Sequence, residues 1–163
     1  MIQAIYLILS FLLDGIFSNY VNFNISDISY FKTIFTLISV ILINEHFYNK
    51  KKYIITLIII SFIFDIVYTN TFILNTVLFI IIYLINIYLD YKLTNNIITT
   101  NIRMILSICI YHILTYIILL LANYNNYTIY LLPNIIIRNI PMTIIYTTIS
   151  YILLKNIRIK AIK

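Results

Sequence analysis

Basic side chains in this sequence return in every second gap between its apolar stretches, and that alternation restricts the fold more than any other feature. The clusters are Lys50, Lys51 and Lys52, then Lys92 and Arg103, then Lys155, Arg158, Lys160 and Lys163. The gaps between them, at residues 19–29, 69–71 and 123–134, hold no Lys or Arg. A chain crossing a bilayer back and forth keeps Lys and Arg in its short cytoplasmic loops and lacks them in its exported ones. The pattern predicts an all-α, polytopic integral membrane protein of the plasma membrane.

Composition agrees with that reading. Of 163 residues, 63% are hydrophobic and 10% charged, with a mean hydropathy of +1.01. An ordinary soluble domain carries about 25% charged residues, and it needs polar groups to cover its surface. In lipid the unit is a helix of about 20 apolar residues. Six spans are expected, at residues 2–18, 30–47, 53–68, 72–91, 102–122 and 135–154, forming a single transmembrane domain over residues 1–163. With the triple-lysine loop inside, both termini are cytoplasmic.

Nine of the eleven basic residues then lie on the inner side or at inner helix ends. Lys32 and Arg138 fall within a turn of an outer end, where a long side chain snorkels to the headgroups. Sixteen tyrosines replace the missing tryptophan as interfacial aromatics, Tyr20, Tyr30, Tyr53, Tyr68, Tyr91, Tyr124, Tyr127 and Tyr130 among them. The start, MIQAIYLILSFLLDGIF, has no basic leader or cleavage site, so the first helix is expected to stay. The net charge of +6 is accounted for by anionic lipid headgroups, and no nucleic-acid motif accompanies it. A lone cysteine, Cys109, excludes an intramolecular disulfide.

The informative polar residues are Asp14 and Asp65. Phe11 to Asn19 aligns with Phe62 to Asn70 at an offset of 51 residues, with Phe, Asp and Asn identical. A tandem duplication of a two-helix unit leaves such an echo, and so does chance in a biased alphabet. An acid in hydrocarbon costs about 2.5–3.5 kcal/mol on insertion scales and faces protein or a water-filled cavity. Two readings stand: a proton- or cation-linked site formed by both acids, or structural hydrogen bonds to a neighbouring helix or backbone. His112, one turn from Cys109, offers too few ligands for a metal. Glu45 and His46 beside the lysines read as a solvated cluster, and Asp90 is expected to pair with Lys92 or Arg103 at little energetic value.

Asn75, Asn86, Ser61, Thr76 and Ser107 are of the type that bonds across membrane helices. No GxxxG is present, so close glycine-mediated packing is not expected. Thr69, Asn70 and Thr71 predict a tight hairpin, and Pro141 predicts a kink in the last span, which Pro133 precedes. The outer segment ANYNNYTIYLLPN is neutral and suits an interface or a partner surface. Nucleophile elbows, P-loops and HExxH are absent, which argues against an enzyme.

The run SFIFDIVYTNTFILNTVLFIIIYLINIYL resembles the middle of the rod shape-determining protein MreD family, with Phe62 and Asp65 matching its aromatic–x–x–Asp helix and short turn. The first helix, with FLLD ending at Asp14, looks like the start of that family. Arg138, Asn139, Ile140 and Pro141, followed by IIYTTISYILLK, are similar to its last helix. Ser61 and Phe72 stand near places where members usually carry glycine.

The resemblance implies a non-catalytic membrane component of the bacterial cell-elongation, or peptidoglycan synthesis, complex. Its partners would be a membrane scaffold of MreC type, the actin-like MreB filament and the peptidoglycan synthases, with no cofactor. Asp14, Asp65 and Arg138 are then candidate contacts with partner helices. The alternative is the six-helix, substrate-binding S component of an energy-coupling factor importer. That class docks its partner through an AxxxA arrangement, where this chain has Ala4 and Ile8.

Overall fold

Long aliphatic runs leave the backbone one way to bond all its groups within a segment, as helix. The computed structural model describes residues 2–20, 34–44, 49–69, 73–94, 96–122, 129 and 131–162. It contains α1 (Ile2–Tyr20), α2 (Phe35–Ile43), α3 (Lys50–Phe64), α4 (Leu74–Lys92), α5 (Ile97–Leu121) and α6 (Leu131–Ile162). A π-helical turn, Asp65–Thr69, extends α3. No strand occurs among the described residues.

Among the described residues four helices are long and apolar enough to cross a membrane: Lys50–Thr69, Leu74–Lys92, Ile97–Leu121 and Leu132–Lys155. Helix α1 covers the first expected span, 2–18, with Gln3–Phe17 a shorter apolar helix, whereas α2, with nine residues, is shorter than the span expected for it. The remainder of the second expected span, residues 30–33 and 45–47, lies outside the described residues. So do Lys32, Glu45, His46, Tyr124, Tyr127, Tyr130 and most of the expected outer loop.

Successive helices pair as hairpins, α1 with α2, α3 with α4 and α5 with α6, while α4 packs on α5 and α2 on α6. The centre is α2. All its residues except Leu42 are buried, as befits a helix that is apolar on every side. Around it the outer faces are aliphatic, with Ile5, Ile8, Leu9 and Leu12 exposed on α1 and Ile54, Ile55, Ile58 and Ile59 exposed on α3. The exposed Lys50, Lys51 and Lys52 open α3, Lys92 closes α4 and Lys155 lies near the end of α6, so one end of the bundle is basic.

Two boundaries differ from expectation in ways that matter. Helix α5 begins at Ile97 instead of 102, because Asn96 caps it in a reciprocal arrangement with Thr99. Arg103 is thereby drawn from the expected helix end into the second turn, where it is 5% exposed. Helix α6 runs from Leu131 to Ile162, against an expected 135–154, and continues through Pro141. Pro133 occupies its first turn, where a missing N–H leaves no intrahelical bond unmade.

Candidate functional site

A helix start leaves backbone N–H groups without intrahelical partners, and in an apolar setting each must find one. At the basic end the solution is local. The Asn49 side chain accepts from the N–H groups of Lys51 (3.0 Å) and Lys52 (3.4 Å), and Asn96 accepts from Ile97 at 2.7 Å. Helices α2 and α4 start at the opposite end, and their cap positions hold Ile34 and Ile73, which make no side-chain cap bond. Each takes its cap from the preceding helix instead.

For α2 the cap is Asp14. Its Oδ1 accepts from the Phe35 N–H at 2.8 Å, and its Oδ2 from the N–H and hydroxyl of Thr36 at 2.7 and 2.6 Å. For α4 it is Asp65. Its Oδ1 accepts from the N–H and side-chain amide of Asn75, both at 2.9 Å. Its Oδ2 accepts from the N–H and hydroxyl of Thr76, also both at 2.9 Å. In each hairpin one threonine thus delivers two donors to a single carboxylate oxygen. Negative charge at a helix N-terminus is further favoured by the helix dipole. Asp14 is 3% exposed and Asp65 fully buried.

Of the two readings of these acids, the geometry is that of structural hydrogen bonds to a neighbouring helix. The connection differs between copies: Thr36 follows its acid by 22 residues and Thr76 by 11. The π-helical turn is confined to the second copy and begins on the acid itself. There the Thr69 hydroxyl donates to the Asp65 carbonyl at 3.1 Å and accepts from the Asn75 amide at 2.9 Å.

Polar contacts continue across the bundle at this level. The Tyr111 hydroxyl donates to the Asn75 Oδ1, joining α5 to α4 and α3. The next residue, His112, meets the Asn139 amide of α6 at 2.9 Å. Between the two copies, the Tyr68 hydroxyl donates to the Phe11 carbonyl at 2.7 Å. A Cβ on Gly15 would stand 2.6 Å from that hydroxyl. Gly15 thus admits a tyrosine side chain to the carbonyl four residues earlier, while among the described residues α1 and α3 make no close backbone packing, in line with the missing GxxxG.

At the basic end, Arg103 forms an ion pair with Asp90, and Asn86 of α4 bonds Ser107 of α5 at 2.6 Å. Arg103, Asp90 and Asn86, with Asn44 and Tyr83, line a cavity of about 20 Å³, which is room for a single water. Asn75, Asn86, Thr76 and Ser107 bond across helices as expected, while Ser61 turns back to the Leu57 carbonyl of its own helix. Among the described residues no three His, Cys, Asp or Glu side chains converge.

Of the three candidate contacts, Asp14 and Asp65 are enclosed in separate caps, and Arg138 is exposed on α6. The sequence reading missed Thr36, Gly15, Tyr68, Tyr111 and Asn139 as members of this layer. No family model matches the chain, and neither curated proteins nor solved structures provide a match.

Proposed function

We propose that this chain is a non-catalytic, multi-pass component of the bacterial plasma membrane that serves the cell-elongation complex by holding partner transmembrane helices in register. The reading takes all six helices as crossing the membrane, with both termini cytoplasmic. It rests on the shared end of Lys50, Lys51, Lys52, Lys92 and Lys155, since clustered Lys/Arg mark the cytoplasmic side.

The observation that carries the reading is the pair of aspartate caps. Phe11 to Asp14 and Phe62 to Asp65, the segments that resemble the MreD family, do the same mechanical task in successive hairpins. Carboxylates with both oxygens engaged by a helix start are suited to fixing helix geometry. The expected partners are an MreC-type scaffold, the MreB filament and the peptidoglycan synthases. The importer alternative has less support: that class docks its partner through an AxxxA arrangement on its first helix, where this chain has Ala4 and Ile8.

The test is isolation of the tagged, full-length chain from native membranes in mild detergent. An MreC-type scaffold should co-isolate, its recovery should fall with Asp65→Leu, and depletion of the chain should cost cells their rod shape. A bound vitamin in native mass spectrometry, with no scaffold recovered, would overturn the reading.

A further inference from the structure

Arg138 lies on the outward face of α6, in line with Asn134, Pro141 and Ile145, all exposed. It follows Leu132 by six residues, roughly 9 Å along the helix, so its Cα falls inside the apolar span Leu132–Lys155. The adjacent Asn139 points the other way and is 2% exposed. Because α6 starts at Leu131 and not at 135, Arg138 lies about two turns in, against the single turn from which snorkelling was expected. Charged side chains at such depth face protein or a water-filled cavity and pair with another group, and no ion pair to Arg138 forms among the described residues.

A second observation falls on the same face. Pro141 has no N–H, so it donates nothing to the carbonyl of Ile137, four residues earlier. Ile137 is 63% exposed. Backbone carbonyls in hydrocarbon require a donor, and around proline it comes from a neighbouring helix, a Ser/Thr side chain, an ordered water or a local adjustment of the helix. A guanidinium and a carbonyl short of its helical donor therefore share one outward face.

We infer that this face of α6 is covered by a transmembrane helix of another protein, bearing an Asp or Glu that pairs with Arg138 and a polar donor for the Ile137 carbonyl. The inference rests on the scaffold reading above and names its docking surface. Charge complementarity selects the partner's acid, and a planar guanidinium suits a carboxylate through two parallel bonds. A second copy of this chain is a poor occupant through its described helices. Their three acids are already engaged, Asp14 and Asp65 in caps and Asp90 in the pair with Arg103, while Asp27 and Glu45 lie outside the described residues.

The test places a photo-cross-linking p-benzoylphenylalanine at residue 137 of the full-length chain in native membranes, with residue 84 on the exposed face of α4 as control. Sequencing of the adduct should give a transmembrane peptide with an Asp or Glu within about a turn of the depth of Arg138. Arg138→Glu should lower the adduct about tenfold or more, and exchanging the partner's acid for Lys should restore it. Arg138→Leu, which suits a lipid-facing helix better than arginine, should lose the adduct to the same degree while leaving the fold intact.

Adducts to lipid alone, adducts to a second copy of the chain, or yields unchanged by Arg138→Leu would overturn the proposal. If lipid alone is labelled while an MreC-type scaffold still co-isolates, the docking surface fails and the scaffold reading stands.

Discussion

The hydroxyl of Tyr68 occupies the space that a side chain on residue 15 would need: a Cβ there would lie 2.6 Å from it. That contact ties α1 to the end of α3 through the Phe11 carbonyl. Gly15→Ala gains up to about 1 kcal/mol in helix propensity, but overpacking costs about 1–3 kcal/mol. With the full propensity gain, the net expectation is a loss of up to about 2 kcal/mol. Tyr68→Phe removes the clashing oxygen, so the double variant should be more stable than the sum of the singles by about 1 kcal/mol. Unfolding in detergent across the four-member cycle measures this.

Thr36 and Thr76 perform equivalent tasks in the two hairpins, each donating its hydroxyl and its N–H to one carboxylate oxygen. Thr36→Val and Thr76→Val remove the hydroxyl donor alone, for a loss of about 1 kcal/mol each. Denaturation of both variants should give losses of similar size. A cost at one site with none at the other would break the equivalence.

The echo of Asp14 in Asp65 was legible because both hairpins need an acid at the same helical position. Its partners were not, since 22 residues separate Asp14 from Thr36 and only 11 separate Asp65 from Thr76. No single period links donor to acceptor. Gly15 was missed because a GxxxG search needs two glycines, whereas one suffices when the close neighbour is a tyrosine hydroxyl. The pairing of His112 with Asn139 depends on how α5 and α6 are set against each other, over 27 residues. Helix α2 reads as one apolar run among several, and its central place follows from packing on α1, α4 and α6.

Arg103 shows the same limit. The sequence pairs Asp90 with Lys92 or Arg103 at little energetic value; the partner is Arg103, and α5 starts early enough to bury it, while the Asp90 side chain stays 36% exposed. Breaking a buried pair from one side costs about 3–5 kcal/mol, and the half-open position of Asp90 reduces that through solvent screening. Asp90→Leu is expected to cost about 2 kcal/mol. Asp90→Leu combined with Arg103→Met should recover most of it, as read from thermal melts in one detergent.

The proposed orientation makes a separate prediction. In a Cys109→Ser background, Lys51→Cys should react with a membrane-impermeant maleimide only after the cells are permeabilised. Labelling of intact cells would reverse the assignment of the basic end.

The central claim is that a carboxylate on one helix closes the start of the next. Backbone amide exchange of Asn75 and Thr76 tests it most directly, because both N–H groups end on Asp65 at 2.9 Å. In Asp65→Ala these two amides should exchange about tenfold faster or more, while the amide of Ile82, deeper in α4, keeps its protection. Unchanged protection of Asn75 and Thr76 in a folded Asp65→Ala chain would contradict the account.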